Sequence, residues 1–139
     1  MESLNIAQKE VILAEMAKFD IELLLGARRD AKFGPVITIG AGGKYVEALD
    51  DVAVLIAPFS RDAARDALSS LRIAPLFQAL RGEPAIDLEA IIDVMMNFSA
   101  VMMSTGENIV SVDLNPVLVK RGGGLVIADA LIEYDRGRE

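Results

Sequence analysis

Cysteine and histidine are both absent from this chain of 139 residues. Each absence closes off chemistry. There can be no disulfide, no thiolate metal site, and no imidazole base, metal ligand or phosphohistidine within the chain. A bound metal must therefore sit among oxygens, which favours magnesium or calcium. Aromatic residues are scarce, at 5% against 53% hydrophobic, so the core must be mostly aliphatic. Positive charge is short as well: 14 Lys and Arg against 21 Asp and Glu leave a net charge of −7. A chain this acidic lacks the electrostatic footprint of a protein that binds nucleic acid. No run reaches the roughly 18 uninterrupted apolar residues of a membrane helix. The polar start MESLNIAQKE shows no signal-peptide core. The expectation is a cytoplasmic protein with no membrane partner.

What is present suits one compact domain. VILAEM (residues 11–16) has the length and apolarity of a strand. IELLLGAR (21–28) reads as a second, with Leu23 and Leu25 on one face. GPVITIG (34–40), β-branched and bounded by glycines, is the best strand signal, and RDAKFG before it reads as a hairpin loop. Ser60 can cap a helix starting at Arg61, with Ala63, Ala64, Ala67, Leu68 and Leu71 at helical spacing. Asp87 can cap a longer one, with Leu88, Ile91, Ile92, Met95, Phe98 and Met102 as its apolar stripe and Gly106 as its stop. Its methionines read as core filling. Three short strands are predicted to close the chain: NIVSVDL (108–114), PVLVK (116–120) and GLVIADALI (124–132), the last two joined by the turn RGGG. Strands, then two helices, then strands is an α+β pattern. The tail EYDRGRE is polar.

GPVITIGAGGKY (34–45) has the look of a strand feeding a phosphate-binding loop. A dinucleotide fingerprint needs a third glycine where Tyr45 stands. A Walker A loop needs glycine at Thr38 and a serine or threonine at Tyr45, so both patterns fail. Two readings remain: a turn whose glycines take positive φ, or backbone amides that cradle an anion.

With no histidine or cysteine, chemistry must rest on Asp, Glu, Asn, Lys and Arg. In VDLNP, Asp113 and Asn115 share a face of an extended segment, and Pro116 is expected to interrupt the ladder. Asp129 lies fourteen positions after Asn115, and the RGGG turn can bring it alongside. Such an oxygen pair can hold a magnesium that keeps waters and bridges phosphates. The plainer reading is an Asx-turn residue and an exposed strand-end Asp. Glu15 and Glu22 each interrupt an apolar run, as in-out alternation on a strand would also place them.

Taken in order, E-M, E-L-x-x-G-x-R-x-D-x-x-F-G-P, G-x-G-G-x-x-x-E, D-x-N-P and A-D-A resemble one family. It is the C-terminal half of the ATP-grasp domain of ADP-forming acyl-CoA synthetases, relatives of the succinyl-CoA synthetase β subunit. The resemblance covers residues 11–132, leaving 1–10 as a flanking segment and 133–139 as a polar tail. It implies an α+β lobe with a mixed, mostly antiparallel sheet and two main helices. It implies ATP or ADP and magnesium as cofactors, and a reaction joining acyl-CoA, ADP and phosphate to acid, CoA and ATP. Glu15 would contact nucleotide at a hinge strand, Glu22 would be a second nucleotide-site carboxylate, and Asn115 and Asp129 would hold magnesium. Gly42, Gly43 and Glu47 fit G-G-x-x-x-E near the catalytic face, and Arg81 and Gly82 fit a loop between the helices. The partners implied are the first ATP-grasp lobe and the CoA-binding and phosphohistidine domains. Alone, this half should not catalyse, and its uncovered apolar surface allows self-association into a homo-oligomer of the fragment. Two positions depart from the family: Ser111 stands at a usually acidic place and Leu131 at a usually basic one. The alternative implied is a regulatory synthetase-like domain of a protein acetyltransferase.

Overall fold

The structure is a computed structural model and describes residues 11–43, 50–135 and 137. The described residues form a six-stranded sheet with two α-helices, an α+β arrangement. The strands are β1 (Ile21–Asp30), β2 (Gly34–Ala41), β3 (Val52–Ile56), β4 (Ile109–Val119), β5 (Leu125–Ile127) and β6 (Ala130–Tyr134). The order is β3-β2-β1-β4-β5, and β6 also pairs with β4. Every pairing among them is antiparallel.

Alternation decides which face is covered. In β1, Ile21, Leu23, Leu25 and Ala27 are buried, and in β2 so are Ile37 and Ile39. These side chains share a core with the helices, while Glu22, Leu24 and Gly26 point to the other, open face. Helix α1 (Arg61–Ser70) starts at Ser60, whose side chain accepts from the Ala63 N–H, and buries Ala64, Ala67 and Leu68. Helix α2 (Leu88–Ser104) starts at Asp87, whose carboxylate accepts from the Ala90 N–H. Its expected stripe is buried at Ile91, Ile92, Met95, Phe98 and Met102, while Met103 is exposed. A short 3-10 segment, Ala74–Phe77, lies between the helices. Among the described residues no helix is long and apolar enough to cross a membrane.

Five details differ from the expectations. Residues 11–16 form no strand, and Val11, Ile12, Leu13 and Met16 are all exposed. A strand needs a partner's backbone, and no described strand lies beside this segment. Pro116 does not break β4, which runs through it. The β1 ladder shifts register between the Leu23↔Val117 and Leu25↔Leu114 pairs, so the proline falls where no β1 bond is required. GLVIADALI is two strands, separated at Ala128 and Asp129. The sequence reading also missed β3, and β6 extends two residues into the segment read as tail.

Candidate functional site

The GAGG loop is packed against the start of β1. The Gly42 N–H donates to the Glu22 carbonyl at 2.8 Å. A β-carbon at Gly42 would lie 2.9 Å from the Glu22 carbonyl carbon, so only glycine permits this approach. Gly43 has φ +77, and a β-carbon there would overlap the Glu22 carboxylate oxygen Oε2. Of the two readings left open for the loop, the turn needing positive φ is therefore realised at Gly43. The structure brings Glu22, Gly42 and Gly43 together. Glu47 lies outside the described residues.

Asn115 and Asp129 are also brought together. The Asn115 N–H donates to the Asp129 carbonyl at 3.2 Å, and the Ala128 N–H to the Pro116 carbonyl at 3.0 Å. Both residues are exposed. Asp129 Oδ1 accepts from the Ala130 N–H at 2.9 Å. That local bond engages Oδ1, and Oδ2 has no hydrogen-bond partner among the described residues. Among the described residues no three acidic side chains form a metal cage. One carboxylate and one amide oxygen suit magnesium, which keeps waters and takes further oxygens from phosphates.

The two groups lie on neighbouring strands. Glu22 pairs with Leu118, three residues after Asn115 on β4, or about 10 Å along a strand. Sequence reasoning had no means of finding Leu118 as the neighbour of Glu22, because the register decides it. Glu15 is exposed in the segment before β1 and joins neither group.

The same face extends over β4 and β6. Asp113 pairs with Gly26 on one side and with Leu131 on the other. A β-carbon at Gly26 would lie 3.8 Å from Asp113 Oδ1. Ser111 pairs with Glu133, and its hydroxyl donates to the Glu133 carboxylate. A carboxylate thus stands beside Ser111 from the neighbouring strand. Glu133 was not singled out from sequence, although the count across the hairpin that pairs Asn115 with Asp129 also pairs Ser111 with Glu133. Leu131 is 61% exposed, so it places an apolar side chain on solvent beside Asp113.

Residues 2–133 match the ATP-grasp domain family. The acetate–CoA ligase [ADP-forming] II subunit beta of Pyrococcus furiosus is 37% identical over 123 residues, covering 88% of this chain and 52% of that protein. The 4-hydroxybutyrate–CoA ligase [ADP-forming] of Nitrosopumilus maritimus is 38% identical over 125 residues, covering 89% of this chain and 18% of that protein. The chain therefore spans about half the length of the first relative and under a fifth of the second. Among solved structures, the dinucleotide forming acetyl-coenzyme A synthetase 1 of Ca. Korarchaeum cryptofilum superposes with a TM-score of 0.79 and 33% identity. That match covers 86% of this chain and 55% of the other, which was solved with coenzyme A and Mg-AMPPCP. With a match over nearly its whole length and a fold shared at this level, the chain belongs to the ATP-grasp domain family.

Proposed function

We propose that this chain is the C-terminal ATP-grasp lobe of an ADP-forming acid–CoA ligase, and that it binds ATP or ADP with magnesium on the open face of its sheet. The observation that carries the reading is the Asn115–Asp129 pairing across β4 and the segment before β6. It puts two residues with oxygen ligands side by side and exposed, midway along β4. Asn115 and Asp129 would hold the metal. Bound there, magnesium neutralises phosphate charge during phosphoryl transfer. Glu22, oriented by Gly43, would contact the nucleotide nearer the start of β1. Glu15 would reach it only with the rest of the clamp in place. The exposed apolar segment 11–16 supports a missing first lobe, because such a segment gains a buried setting only when another sheet covers it.

The complete protein would interconvert acyl-CoA, ADP and phosphate with acid, CoA and ATP. Its phosphohistidine and CoA-binding domains would be supplied from outside these residues. The solved relative supports that division, since its phosphohistidine segment is described as pointing towards the nucleotide binding site. The lobe alone would not catalyse, because half a clamp neither excludes water nor holds the triphosphate. Calorimetry on the complete protein tests the reading: Mg-ADP binds and drives acyl-CoA-dependent ATP formation. No binding and no turnover would overturn it.

One observation favours a second reading. Leu131 puts an apolar side chain beside Asp113, at a place where the family carries a basic group. A regulatory synthetase-like domain that senses ligand without turnover tolerates that change better than a phosphoryl-transfer enzyme does. Mg-ADP binding without any ATP formation by the complete protein would select this reading.

A further inference from the structure

The two edges of the sheet are not alike. At one, β5 is three residues long, and β6 carries Glu133 and pairs with β4 across a register shift. Short strands, charges and irregular registers keep an edge from pairing with another chain. At the other edge stands β3, whose five residues VAVLI are all apolar and include no proline. Its ladder with β2 is regular throughout, from Val36↔Ile56 to Gly40↔Val52. None of those safeguards is present within it.

Hydrogen bonds at the two ends of β3 show which backbone groups face outward. The Ala41 N–H donates to the Asp51 carbonyl at 3.0 Å, and the Ala57 N–H to the Pro35 carbonyl at 2.9 Å. Alternate residues of an antiparallel strand turn their polar backbone groups to the same side. Ala53 and Leu55 therefore face β2, as Asp51 and Ala57 do. The N–H and carbonyl groups of Val52, Val54 and Ile56 point away, and no strand pairs with them there among the described residues. Their side chains are 45%, 60% and 52% exposed on the open face, whereas Ala53 and Leu55 pack against the core. The outward backbone groups and the exposed β-branched side chains thus belong to the same residues.

We propose that β3 is a self-association seam, pairing antiparallel with β3 of a second copy about a two-fold axis at Val54. The strand is complementary to itself in that register. Val54 faces its own image and Val52 faces Ile56, so each outward N–H meets an outward carbonyl. The opposed side chains are all β-branched, a favourable cross-strand combination. The nearest charges, Asp50 and Asp51, fall opposite Pro58 and Ala57, so no charge on the strand meets its like. A slip of one residue would set the outward groups against Ala53 and Leu55, whose own face β2. A two-fold contact consumes both free edges, so association stops at the dimer. The seam is about 17 Å long, short of a standard interface, which makes the dimer a weak one. Two strands, β2 and β1, separate it from β4, so it leaves Asn115 and Asp129 clear.

The chain has no cysteine, so an introduced thiol can form a disulfide only with another copy. Residues paired in this way have Cα atoms about 5.5 Å apart, within reach of a disulfide. Under mild oxidation Val54→Cys should give a linked dimer at least about tenfold faster than Val126→Cys, a half-exposed position on β5. Val52→Cys mixed with Ile56→Cys should link to each other at least about tenfold faster than either links to itself. In sedimentation the unaltered chain should pass from 14.9 kDa to twice that mass as its concentration rises from roughly 10 μM to about 1 mM. Val54→Lys sets two cations against each other and should weaken the dimer at least about tenfold. Because position 54 is exposed, the melting temperature of that monomer should stay within a few degrees. A monomer at every concentration, association that Val54→Lys does not weaken, Val54→Cys linking no faster than Val126→Cys, or assemblies that grow beyond two copies would each overturn the proposal.

Discussion

The Glu22 carboxylate lies directly over Gly43, in the space that a β-carbon at position 43 would fill. The glycine and the carboxylate are therefore one unit, and their effects on nucleotide binding should be coupled. Gly43→Ala adds about 1 kcal/mol of backbone cost at its positive φ. Its larger effect is to push Glu22 aside. Gly43→Ala and Glu22→Ala should each weaken Mg-ADP binding, and the double variant should be little worse than either alone. Fully additive losses in a double-mutant cycle would separate the two residues.

Arg29 closes the C-terminal end of α2. Its guanidinium donates to the Met102 carbonyl at 2.7 Å, the Thr105 carbonyl at 2.6 Å and the Ile109 carbonyl at 3.0 Å. The bonds to Met102 and Thr105 satisfy carbonyls that the helix end otherwise leaves open, and the bond to Ile109 ties the start of β4 to it. Arg29→Met should cost about 3 kcal/mol in urea denaturation. A loss below about 0.5 kcal/mol would show that water replaces the guanidinium without difficulty.

Asp51 is a buried carboxylate at the start of β3, accepting from the N–H groups of Arg72 at 2.6 Å and Ile73 at 3.0 Å. It ties β3 to the chain leaving α1. Asp51→Ala should cost about 2–3 kcal/mol, because two N–H donors lose their partner. Asp51→Asn keeps one acceptor oxygen and should recover part of that loss. Equal stability of the two variants would contradict this account.

A pH effect follows from the exposed pairs between the helices. Arg61 lies 2.7 Å from Glu89 and 2.6 Å from Asp93, and Arg65 lies 2.5 Å from Glu89. Hydrogen bonds from Arg61, then from Arg65, hold the Glu89 carboxyl below its ordinary value of 4.5. A depressed carboxyl contributes stability above its unfolded pKa and loses it as pH falls through the folded one. Glu89→Gln should therefore lower the melting temperature at pH 7, and the two curves should converge as the pH drops below about 4. Added salt should shrink the gap at pH 7. A gap that persists in acid would assign the effect to packing.

Local signals made most of the fold legible. The caps at Ser60 and Asp87 and the stripe from Ile91 to Met102 marked both helices, because helical periodicity is written into adjacent turns. The hairpin of β1 and β2 was readable from RDAKFG and its β-branched flank. What failed depended on partners. Residues 11–16 carry a strand's composition but have no neighbouring strand, and Pro116 is tolerated because a register shift moves it off the β1 ladder. β3, VAVLI, is apolar at all five positions, so it lacks the polar–apolar alternation that marks a half-exposed strand.

The site divides in the same way. Asn115 and Asp129 could be paired by counting residues across a hairpin, since a tight turn fixes the separation. The Glu22↔Leu118 pairing could not, because β1 and β4 are far apart in sequence, with both helices between them, and no local pattern states their register.

The central claim is that Asn115 and Asp129 hold the magnesium that accompanies the nucleotide. Its most direct test is magnesium-dependent ATP formation by the complete protein carrying Asn115→Ala or Asp129→Ala. Each variant should lose at least about a hundredfold in turnover, a magnitude in keeping with lost metal-assisted charge stabilisation, while its melting temperature in the absence of nucleotide stays within a few degrees. Turnover and magnesium dependence equal to those of the unaltered protein would contradict the account.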